Sequence, residues 1–366
     1  MSIRVHRAQT IGSMLRPQFL RDARRVHRRG DLSAADFKRI EDQAVDQALA
    51  LQERTGIALV TDGEQRRASF VGSLIETTEG LTRSMSVTKP WHSGDDEVEQ
   101  LSLGLVVSGK LRRRRSLVAE EFAYARARTQ LPVKVAIPSP MMLAMFWSPT
   151  ESRAAYRDPF ELFIDGAEII GAEIAELARM GCTEIQIDAP ELAIIVDPKA
   201  RQAAFEAYGI EPRRMLTEGV ELLDALADTP GVNFGLHLCR GNNDGRWLSR
   251  GGYEPIAREV FNRARRYSSF MLEYDDERSG GFAPLAEIPS DKIVVLGLVS
   301  TKRAALEAAE GLLDRIGEAA RYFPREQLAL SPQCGFASGI AGNPIDAAGQ
   351  EAKLRLVGEV ARHAWG

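Results

Sequence analysis

The sequence has few cysteines, no long apolar run and no excess of basic charge, and each absence narrows what the protein can be. Only three cysteines occur in 366 residues. They are too few, and odd in number, for a disulfide framework, so we expect them to be free, metal-bound or catalytic. No stretch approaches about 18 uninterrupted apolar residues, which argues against a membrane-spanning helix. The net charge of −4 lacks the basic excess typical of nucleic-acid binders.

The remaining composition is that of an ordinary globular protein, with 44% hydrophobic and 27% charged residues. The first residues contain no apolar signal-peptide core, so we expect a cytoplasmic protein. We find no internal repeat, low-complexity tract or linker that would divide the chain. A single domain over residues 1–366 is therefore expected, and barrels of this length are common.

Short apolar runs alternate with longer amphipathic segments, a pattern typical of α/β folds with parallel strands. Helical periodicity is clearest over residues 34–53, 160–178 and 303–320. Eight strands with intervening helices favour a closed (β/α)8 TIM barrel, with an open doubly wound sheet as the alternative. The eight runs end near Ser13, Glu64, Pro140, Asp188, Cys239, Asp275, Ser300 and Cys334.

The long segment between the second and third strands interrupts this alternation. It contains the alternating run LSLGLVVSG (101–109), followed by four consecutive arginines at 112–115. We predict an insertion over about residues 70–130 that contains a β-hairpin and a helix and covers one end of the barrel.

Candidate metal ligands lie at the carboxyl ends of strands, where the functional residues of a barrel collect. His237 and Cys239 are two residues apart on a strand and therefore point to the same side. Cys334 follows another strand, and Gly335 lets the backbone turn after it. Imidazole and thiolate together suit zinc. Alternatively, these side chains only pack at strand ends, which is how we interpret Cys182 at the opposite end.

A fourth ligand is expected from the acidic segment after the sixth strand. Glu273 is the preferred candidate, with Asp275, Asp276 and Glu277 as alternatives. Two thiolates and a carboxylate give the site a negative charge, which makes zinc a weak activator of water. Such a zinc is well suited to hold a third thiolate, because it lowers the thiol pKa. The pattern indicates alkylation of a thiol and not hydrolysis.

The segments around these residues resemble the cobalamin-independent methionine synthase family. HLC (237–239), Glu273 and Cys334 are similar to the zinc site of that family. The resemblance covers nearly the whole chain and implies a TIM barrel that transfers a methyl group to homocysteine by attack of a zinc-bound thiolate. Further segments match in chain order: TIGS (10–13), VTDGEQRR (60–67), IPSPMML (137–143), IQIDAP (185–190), LGLVSTK (296–302) and LSPQCG (330–335).

The resemblance also implies roles for single residues. The backbone and hydroxyl at Ile11, Gly12 and Ser13 would hold the carboxylate of an amino-acid thiol. Glu64 and Asp188 would bind its ammonium group through charge-assisted hydrogen bonds.

Some positions depart from the family or admit another interpretation. Glu64 and Asp188 could instead form salt bridges with Arg66 or Arg67 at the rim of the barrel. Lys302 stands where family members carry a histidine thought to assist proton transfer, and the aromatic that stacks on the folate corresponds to Phe146 or Trp147. Full-length methionine synthases have two barrels, and this chain matches only the catalytic one. The resemblance therefore implies a homocysteine-like acceptor and leaves open the donor, which includes methyltetrahydrofolate, methylcobalamin, S-methyl compounds or epoxides.

Two other functions are considered. A thiol alkyltransferase of the epoxyalkane:coenzyme M transferase type belongs to the same superfamily, but its sulfonate acceptor needs cations where Glu64 and Asp188 stand. The arginines at 112–115, or Arg240, could supply them. A non-catalytic zinc-binding barrel is disfavoured, because structural zinc is usually held by four ligands on nearby loops.

Overall fold

The computed structural model describes residues 5–86, 88–94, 96–101 and 103–366. The described strands are β1 (Thr78–Arg83), β2 (Thr88–Ser93), β3 (Asp96–Leu101), β4 (Leu105–Arg113), β5 (Lys134–Pro138), β6 (Glu184–Asp188), β7 (Asn233–Leu238), β8 (Ser269–Glu273), β9 (Ile293–Val299) and β10 (Leu328–Pro332).

Strands β5 to β10 pair in parallel, in chain order, as a six-stranded sheet. Two short segments near the N-terminus close this sheet into a ring. Ala8 pairs with Leu330 of β10, the next residue pairs with Leu59, and Val60 pairs with Val133 just before β5, all in parallel. These segments are the predicted first and second strands, reduced to single bridges. The predicted (β/α)8 TIM barrel is confirmed.

The α-helices of the described residues alternate with the strands along the chain. They are α1 (Gln18–Arg28), α2 (Ala34–Arg54), α3 (Gly72–Thr77), α4 (Ala119–Arg126), α5 (Pro159–Arg179), α6 (Pro190–Ile194), α7 (Pro198–Ala204), α8 (Pro212–Arg214), α9 (Val220–Leu226), α10 (Ala257–Arg263), α11 (Ala309–Ala319) and α12 (Ala347–Trp365). A π-helical turn (Met215–Gly219) joins α8 to α9. In the described part of the chain, no helix has both the length and the apolar character needed to span a membrane.

The helix predictions are confirmed for α2 and α5 but only partly for α11. Ser33 caps α2, because its hydroxyl accepts a hydrogen bond from the Asp36 amide. The helix predicted over residues 303–320 begins only at Ala309. The Lys353 ammonium explains this difference, because it holds the preceding segment by its contacts to the Ala305 carbonyl (2.6 Å) and the Glu307 carboxylate (2.9 Å).

The predicted excursion lies between the second barrel strand and β5. It contains two antiparallel strand pairs, β1 with β4 and β2 with β3, followed by α4. The sequence predicted one hairpin and a helix, whereas the structure contains two strand pairs before α4. The β2–β3 pair extends from the β1–β4 pair and reaches the carboxyl end of the barrel, where His92 bridges to Trp247.

A buried carboxylate anchors this excursion to the barrel. Glu173 on α5 accepts hydrogen bonds from the Ser116 hydroxyl and from the backbone amides of Leu117 and Val118. It also forms an ion pair with Arg113. Arg113, the second residue of the arginine run, therefore helps to hold the excursion against α5.

Candidate metal centre and cavity

Three soft donor groups converge at the carboxyl end of the barrel. His237 lies near the end of β7, Cys239 follows that strand, and Cys334 follows β10. Their potential ligand atoms lie within 4.8 Å of one another, and all three residues are buried. The two sulfurs are 3.4 Å apart, well beyond the roughly 2.05 Å of a disulfide bond. The arrangement fits two thiols and an imidazole that could bind one metal ion.

The imidazole of His237 is oriented for metal binding. Its Nδ1 atom lies 2.8 Å from Oδ1 of Asp188, while its buried Nε2 atom has no partner among the described residues. A carboxylate on one ring nitrogen fixes the tautomer and leaves the other nitrogen free to coordinate a metal. The Cys334 sulfur and burial raise the pKa of the Cys239 thiol, so a cation at this point would favour its thiolate. The donor set therefore fits zinc.

A cavity of about 1260 Å³ opens beside this cluster. His237, Cys239 and Cys334 form part of its wall. The five residues predicted to hold an amino-acid thiol line the same cavity: Ile11, Gly12, Ser13, Glu64 and Asp188. The structure thus brings together eight predicted site residues that come from five strand ends.

Glu64 adopts an unusual backbone conformation at this wall. Its φ of 53° lies in the left-handed region, and its amide donates to Oδ1 of Asp62 at 2.9 Å. A residue other than glycine is strained here, and such strain often marks a functional position. Its Oε2 atom has no hydrogen-bond partner among the described residues, and burial raises the pKa of its carboxyl to about 7. Glu64 is therefore a buried acid whose ion pair with Arg67 is long, at 4.0 Å.

The two candidate rim arginines are engaged elsewhere. Arg67 lies 4.0 Å from Glu64 but 2.7 Å from Glu121, which is its main partner. Arg66 forms its ion pair with Asp42 at 2.5 Å. The alternative interpretation of Glu64 as one half of a tight rim salt bridge is thus not supported.

Two glycines permit close approaches around the cluster. A Cβ atom on Gly12 would lie 2.5 Å from Oε1 of Glu64, and one on Gly335 would lie 2.1 Å from Oγ of Ser13. Both distances are below normal van der Waals contact. Each glycine therefore makes room for a predicted substrate-binding side chain.

Glu273, expected as the fourth ligand, lies outside the cluster. Its Oε1 atom accepts hydrogen bonds from Arg278 (2.6 Å) and Lys302 (2.8 Å), and its Oε2 atom accepts one from the Arg240 amide (2.8 Å). Burial alone would raise the pKa of this carboxyl, but the Lys302 and Arg278 cations hold it well below its usual range. The roles of Glu273 as a ligand and Lys302 as a catalytic group stay predictions. In the structure the two side chains pair with each other.

Two of the three alternative acidic ligands, Asp275 and Asp276, are also engaged. Asp275 lies 3.3 Å from the Arg278 guanidinium, and Asp276 accepts a hydrogen bond from the Arg278 amide at 3.1 Å. Among the described residues, the group able to hold a metal contains only His237, Cys239 and Cys334.

Comparison with known proteins connects this geometry to a family. A family model described as "Cobalamin-independent synthase, Catalytic domain" matches residues 7–244. The chain belongs to the cobalamin-independent methionine synthase family.

Individual relatives agree with this assignment. The uncharacterized protein YxjG of Bacillus subtilis is 33% identical, over 98% of this chain and 94% of that protein. The methionine synthase of Saccharolobus solfataricus is 26% identical, over 89% of this chain and 86% of its own length. The solved B12-independent methionine synthase from Shewanella sp. W3-18-1, in complex with selenomethionine, matches with a TM-score of 0.76. That match covers 98% of both chains at 19% identity and shows the shared fold. The chain is thus an enzyme of the methyltransferase type.

The two aromatic residues that the family resemblance suggested for stacking on folate do not line the cavity. Phe146 and Trp147 are buried, and neither lines the cavity. The Trp147 indole instead donates to the Tyr208 carbonyl at 3.1 Å. Any aromatic contact to a second substrate must therefore come from another part of the cavity wall.

Two further parts of the cavity wall were not predicted from the sequence. Glu191, in α6, lines the cavity and accepts a 2.6 Å hydrogen bond from the Ser139 hydroxyl. Burial raises the pKa of its carboxyl to about 8. Its position three residues after Asp188 at a strand end was a usable signal. The β2–β3 hairpin also lines the cavity, and its docking onto the barrel has no local sequence signal.

Proposed function

We propose that the protein is a zinc-dependent methyltransferase that transfers a methyl group to homocysteine and forms methionine. One observation carries the proposal. His237, Cys239 and Cys334 converge on the wall of a cavity that Glu64 and Asp188 also line. The proposal includes one catalytic unit over residues 1–366, with the insertion at about residues 70–130 contributing to its cavity.

His237, Cys239 and Cys334 would hold the zinc, and Asp188 would keep the imidazole in the correct orientation. Zinc bound there would lower the pKa of the substrate thiol, so that thiolate is available at neutral pH. Glu273 remains the proposed fourth ligand. To reach the metal, its carboxylate must leave Lys302 and Arg278, which hold it at 2.8 and 2.6 Å.

The acceptor side of the cavity suits an amino acid. Glu64 and Asp188 would bind the ammonium group of homocysteine, and residues 11–13 would bind its carboxylate through backbone amides and the Ser13 hydroxyl. The Oε2 atom of Glu64 supports this role: no described residue donates a hydrogen bond to it, so a bound ammonium would supply one and favour the ionised carboxylate.

The thiolate sulfur would attack the methyl carbon of the donor in line. The new S–C bond forms as the bond between the methyl group and the donor breaks, and the donor leaves with that electron pair. The enclosing cavity holds both substrates in the geometry of attack, and proximity of this kind can contribute several orders of magnitude in rate.

Two of the arginines considered for a coenzyme M-type acceptor, Arg240 and Arg113, are engaged elsewhere. The Arg240 guanidinium donates to the carbonyls of Gly251 (2.9 Å) and Glu273 (3.1 Å). Arg113 pairs with Glu173 on the outer side of the barrel. Neither reaches the pair of acids that a sulfonate would have to face, so an amino-acid thiol fits better.

The test uses cobalt-substituted protein, because cobalt reports its ligands through visible absorption. Homocysteine should change the spectrum, whereas coenzyme M, which carries a thiol but no ammonium, should leave it nearly unchanged. Product mass would then be measured with methylfolates, methylcobalamin, S-methyl compounds and epoxides as donors. A spectrum indifferent to homocysteine, together with no methionine from any donor, would refute the proposed function.

A further inference from the structure

The backbone of Glu64 needs support from its surroundings, because its φ of 53° lies in the left-handed region. For a residue other than glycine this conformation is costly and persists only where contacts hold it. The Glu64 amide donates to Asp62 at 2.9 Å, within the same loop. The Glu64 carbonyl accepts from the Arg67 amide at 3.1 Å, also in that loop, and from the Arg16 guanidinium at 2.7 Å. Of these three contacts, only the one from Arg16 ties Glu64 to another segment.

The Arg16 guanidinium joins three loops at the carboxyl end of the barrel. Its Nη2 atom donates to the carbonyls of Glu64 (2.7 Å) and Arg67 (3.0 Å), which follow the second barrel strand. Its Nη1 atom donates to the carbonyls of Met14 (3.2 Å), after the first strand, and Ala337 (2.5 Å), after β10. The planar fork of arginine directs several N–H donors at fixed angles, which an ammonium group cannot reproduce. Arg16 therefore clamps the three loops together.

The charge of Arg16 is enclosed without a close anion. The residue is 4% exposed, and no carboxylate among the described residues forms an ion pair with it. Burial lowers the pKa of Arg16 to about 10, and the Glu64 carboxylate is the main group that opposes this shift. Arg24, by contrast, forms an ion pair with Glu41 at 3.0 Å. An arginine that served packing alone would gain from such a partner, because an unpaired buried charge is costly.

The same clamp reaches the loop that carries a candidate metal ligand. Ala337, whose carbonyl accepts from Arg16, lies three residues after Cys334. Ser13, Glu64 and Cys334 line the cavity, whereas Arg16 does not. Arg16 therefore acts on the cavity only through the residues that it holds.

We propose that Arg16 is a positioning residue for the acceptor: it holds the Glu64 main chain in the left-handed conformation and so keeps the Glu64 carboxylate directed at the ammonium site. The inference rests on the proposed function, because there Glu64 binds the ammonium group of homocysteine. Two consequences distinguish this role from a purely structural one. Loss of the clamp weakens binding of ligands that carry an ammonium group more than binding of ligands that lack one, and the difference depends on the Glu64 carboxylate.

The test measures binding of two thiols to the zinc-loaded protein by calorimetry, without a methyl donor. Homocysteine carries the ammonium group, and 4-mercaptobutyrate is the same molecule with a hydrogen atom in its place. Arg16→Lys keeps the charge but removes the fork, and Arg16→Ala removes both. Arg24→Lys is the matched control. Arg24 is also buried and donates to carbonyls in the same loop as Glu64, those of Gln65 (3.3 Å) and Arg66 (3.0 Å), but not to that of Glu64.

Arg16→Lys should weaken homocysteine binding about tenfold and change the affinity for 4-mercaptobutyrate by less than about twofold. Its zinc content should match that of wild type. Free guanidinium, at concentrations too low to unfold the protein, should restore part of the homocysteine affinity of Arg16→Ala. In a Glu64→Gln background, Arg16→Lys should have little further effect, because the charge that the clamp directs is already absent. Arg24→Lys should bind both thiols as wild type does.

Equal losses for the two thiols, or the same loss in the Glu64→Gln background, would overturn the inference, because Arg16 would then only stabilise the barrel. Unchanged homocysteine affinity in Arg16→Lys would also overturn it, as would failure of both Arg16 variants to fold where Arg24→Lys folds. None of these results touches the proposed function if wild type binds homocysteine and forms methionine. A selective loss as expected, without methionine from any donor, would refute the proposed function alone. Wild-type protein that binds no homocysteine would refute both.

Discussion

Nδ1 of His237 and Oδ1 of Asp188 lie 2.8 Å apart, and this contact links the two halves of the site. The same carboxylate oxygen accepts a hydrogen bond from the side-chain amide of Gln186 at 2.6 Å. Asp188 also lines the cavity, where an amino-acid ammonium would bind. Under the proposed function, Asp188 would therefore act on the metal through the imidazole and on the acceptor directly.

Replacing Asp188 with Asn should weaken both functions. Loss of a carboxylate behind a histidine ligand typically lowers metal affinity by about 10–100-fold. Homocysteine affinity should also fall when zinc is saturating, because one charge facing the ammonium is lost. A chromogenic chelator competition and calorimetry would measure the two effects. The control is Asp224→Asn, which removes a similarly buried acid paired with Arg266. Unchanged zinc affinity in Asp188→Asn would remove this residue from the metal site.

Cys239→Ser and Cys334→Ser should each lose most of the bound zinc. A serine hydroxyl is a poor substitute for a thiolate, and either variant leaves only two of the three clustered donors. Zinc per chain after dialysis, measured by atomic emission, would report the loss. Cys182→Ser is the matched control, since Cys182 is equally buried but not in the cluster. Full zinc content in both cluster variants would show that the assignment is wrong.

Glu273→Gln tests the proposed fourth ligand. Zinc retention should fall, though less than in the cysteine variants. The protein should also lose roughly 3–5 kcal/mol of unfolding free energy, because Lys302 and Arg278 lose their buried anion. Glu173→Gln offers a matched control: Glu173 is also fully buried and ion-paired, but it lies on α5. If both variants lose stability and both keep zinc, Glu273 is a structural residue only.

Gly335→Ala should disturb Ser13 and the adjacent Cys334. The added Cβ would lie 2.1 Å from Oγ of Ser13 and 3.0 Å from its backbone, which is too close without a shift. We expect about 1–3 kcal/mol of lost stability and weaker homocysteine binding. Gly311→Ala in α11 has no atom within 4 Å of its Cβ and should be neutral or stabilising. Calorimetric unfolding and homocysteine titration of both variants would show the contrast.

The positions of candidate site residues at strand ends could be predicted from the sequence. His237, Cys239 and Cys334 follow apolar runs that end at one rim, so barrel topology alone places them together. The same reasoning placed Glu64 and Asp188 on the cavity wall. The first two strands were also located correctly, although the structure reduces them to the bridges at Ala8 and Val60.

The sequence was less informative where three-dimensional contacts select between neighbours. Glu273 looked like a free ligand, but Arg278 and Lys302 reach it from two other segments. The position of the β2–β3 hairpin depends on Trp247, more than a hundred residues away along the chain. No local periodicity encodes such long-range docking, so neither feature was predicted.

Glu191 should make stability depend on pH. Burial raises the pKa of its carboxyl from 4.5 to about 8 in the folded protein. A raised folded pKa means that the folded state keeps the proton more tightly than the unfolded state. The stability from this group is thus full below about pH 4.5 and is lost as pH rises through about 8. Wild-type unfolding free energy should therefore decline across this window.

Glu191→Gln should flatten that decline, because glutamine is neutral at every pH and can still accept the hydrogen bond from Ser139. Relative to wild type, the variant should gain about 2–4 kcal/mol between about pH 5 and pH 9. Denaturant unfolding with equal zinc loading would measure this difference. Glu64 and Glu121, whose pKa values burial also raises to about 7, remain in both proteins and cancel. The exposed Glu359→Gln serves as the control and should follow wild type. Oε2 of Glu191 has no hydrogen-bond partner among the described residues. An unchanged slope in Glu191→Gln would mean that Glu191 is already ionised in the folded protein, with this oxygen stabilised by solvent in the cavity.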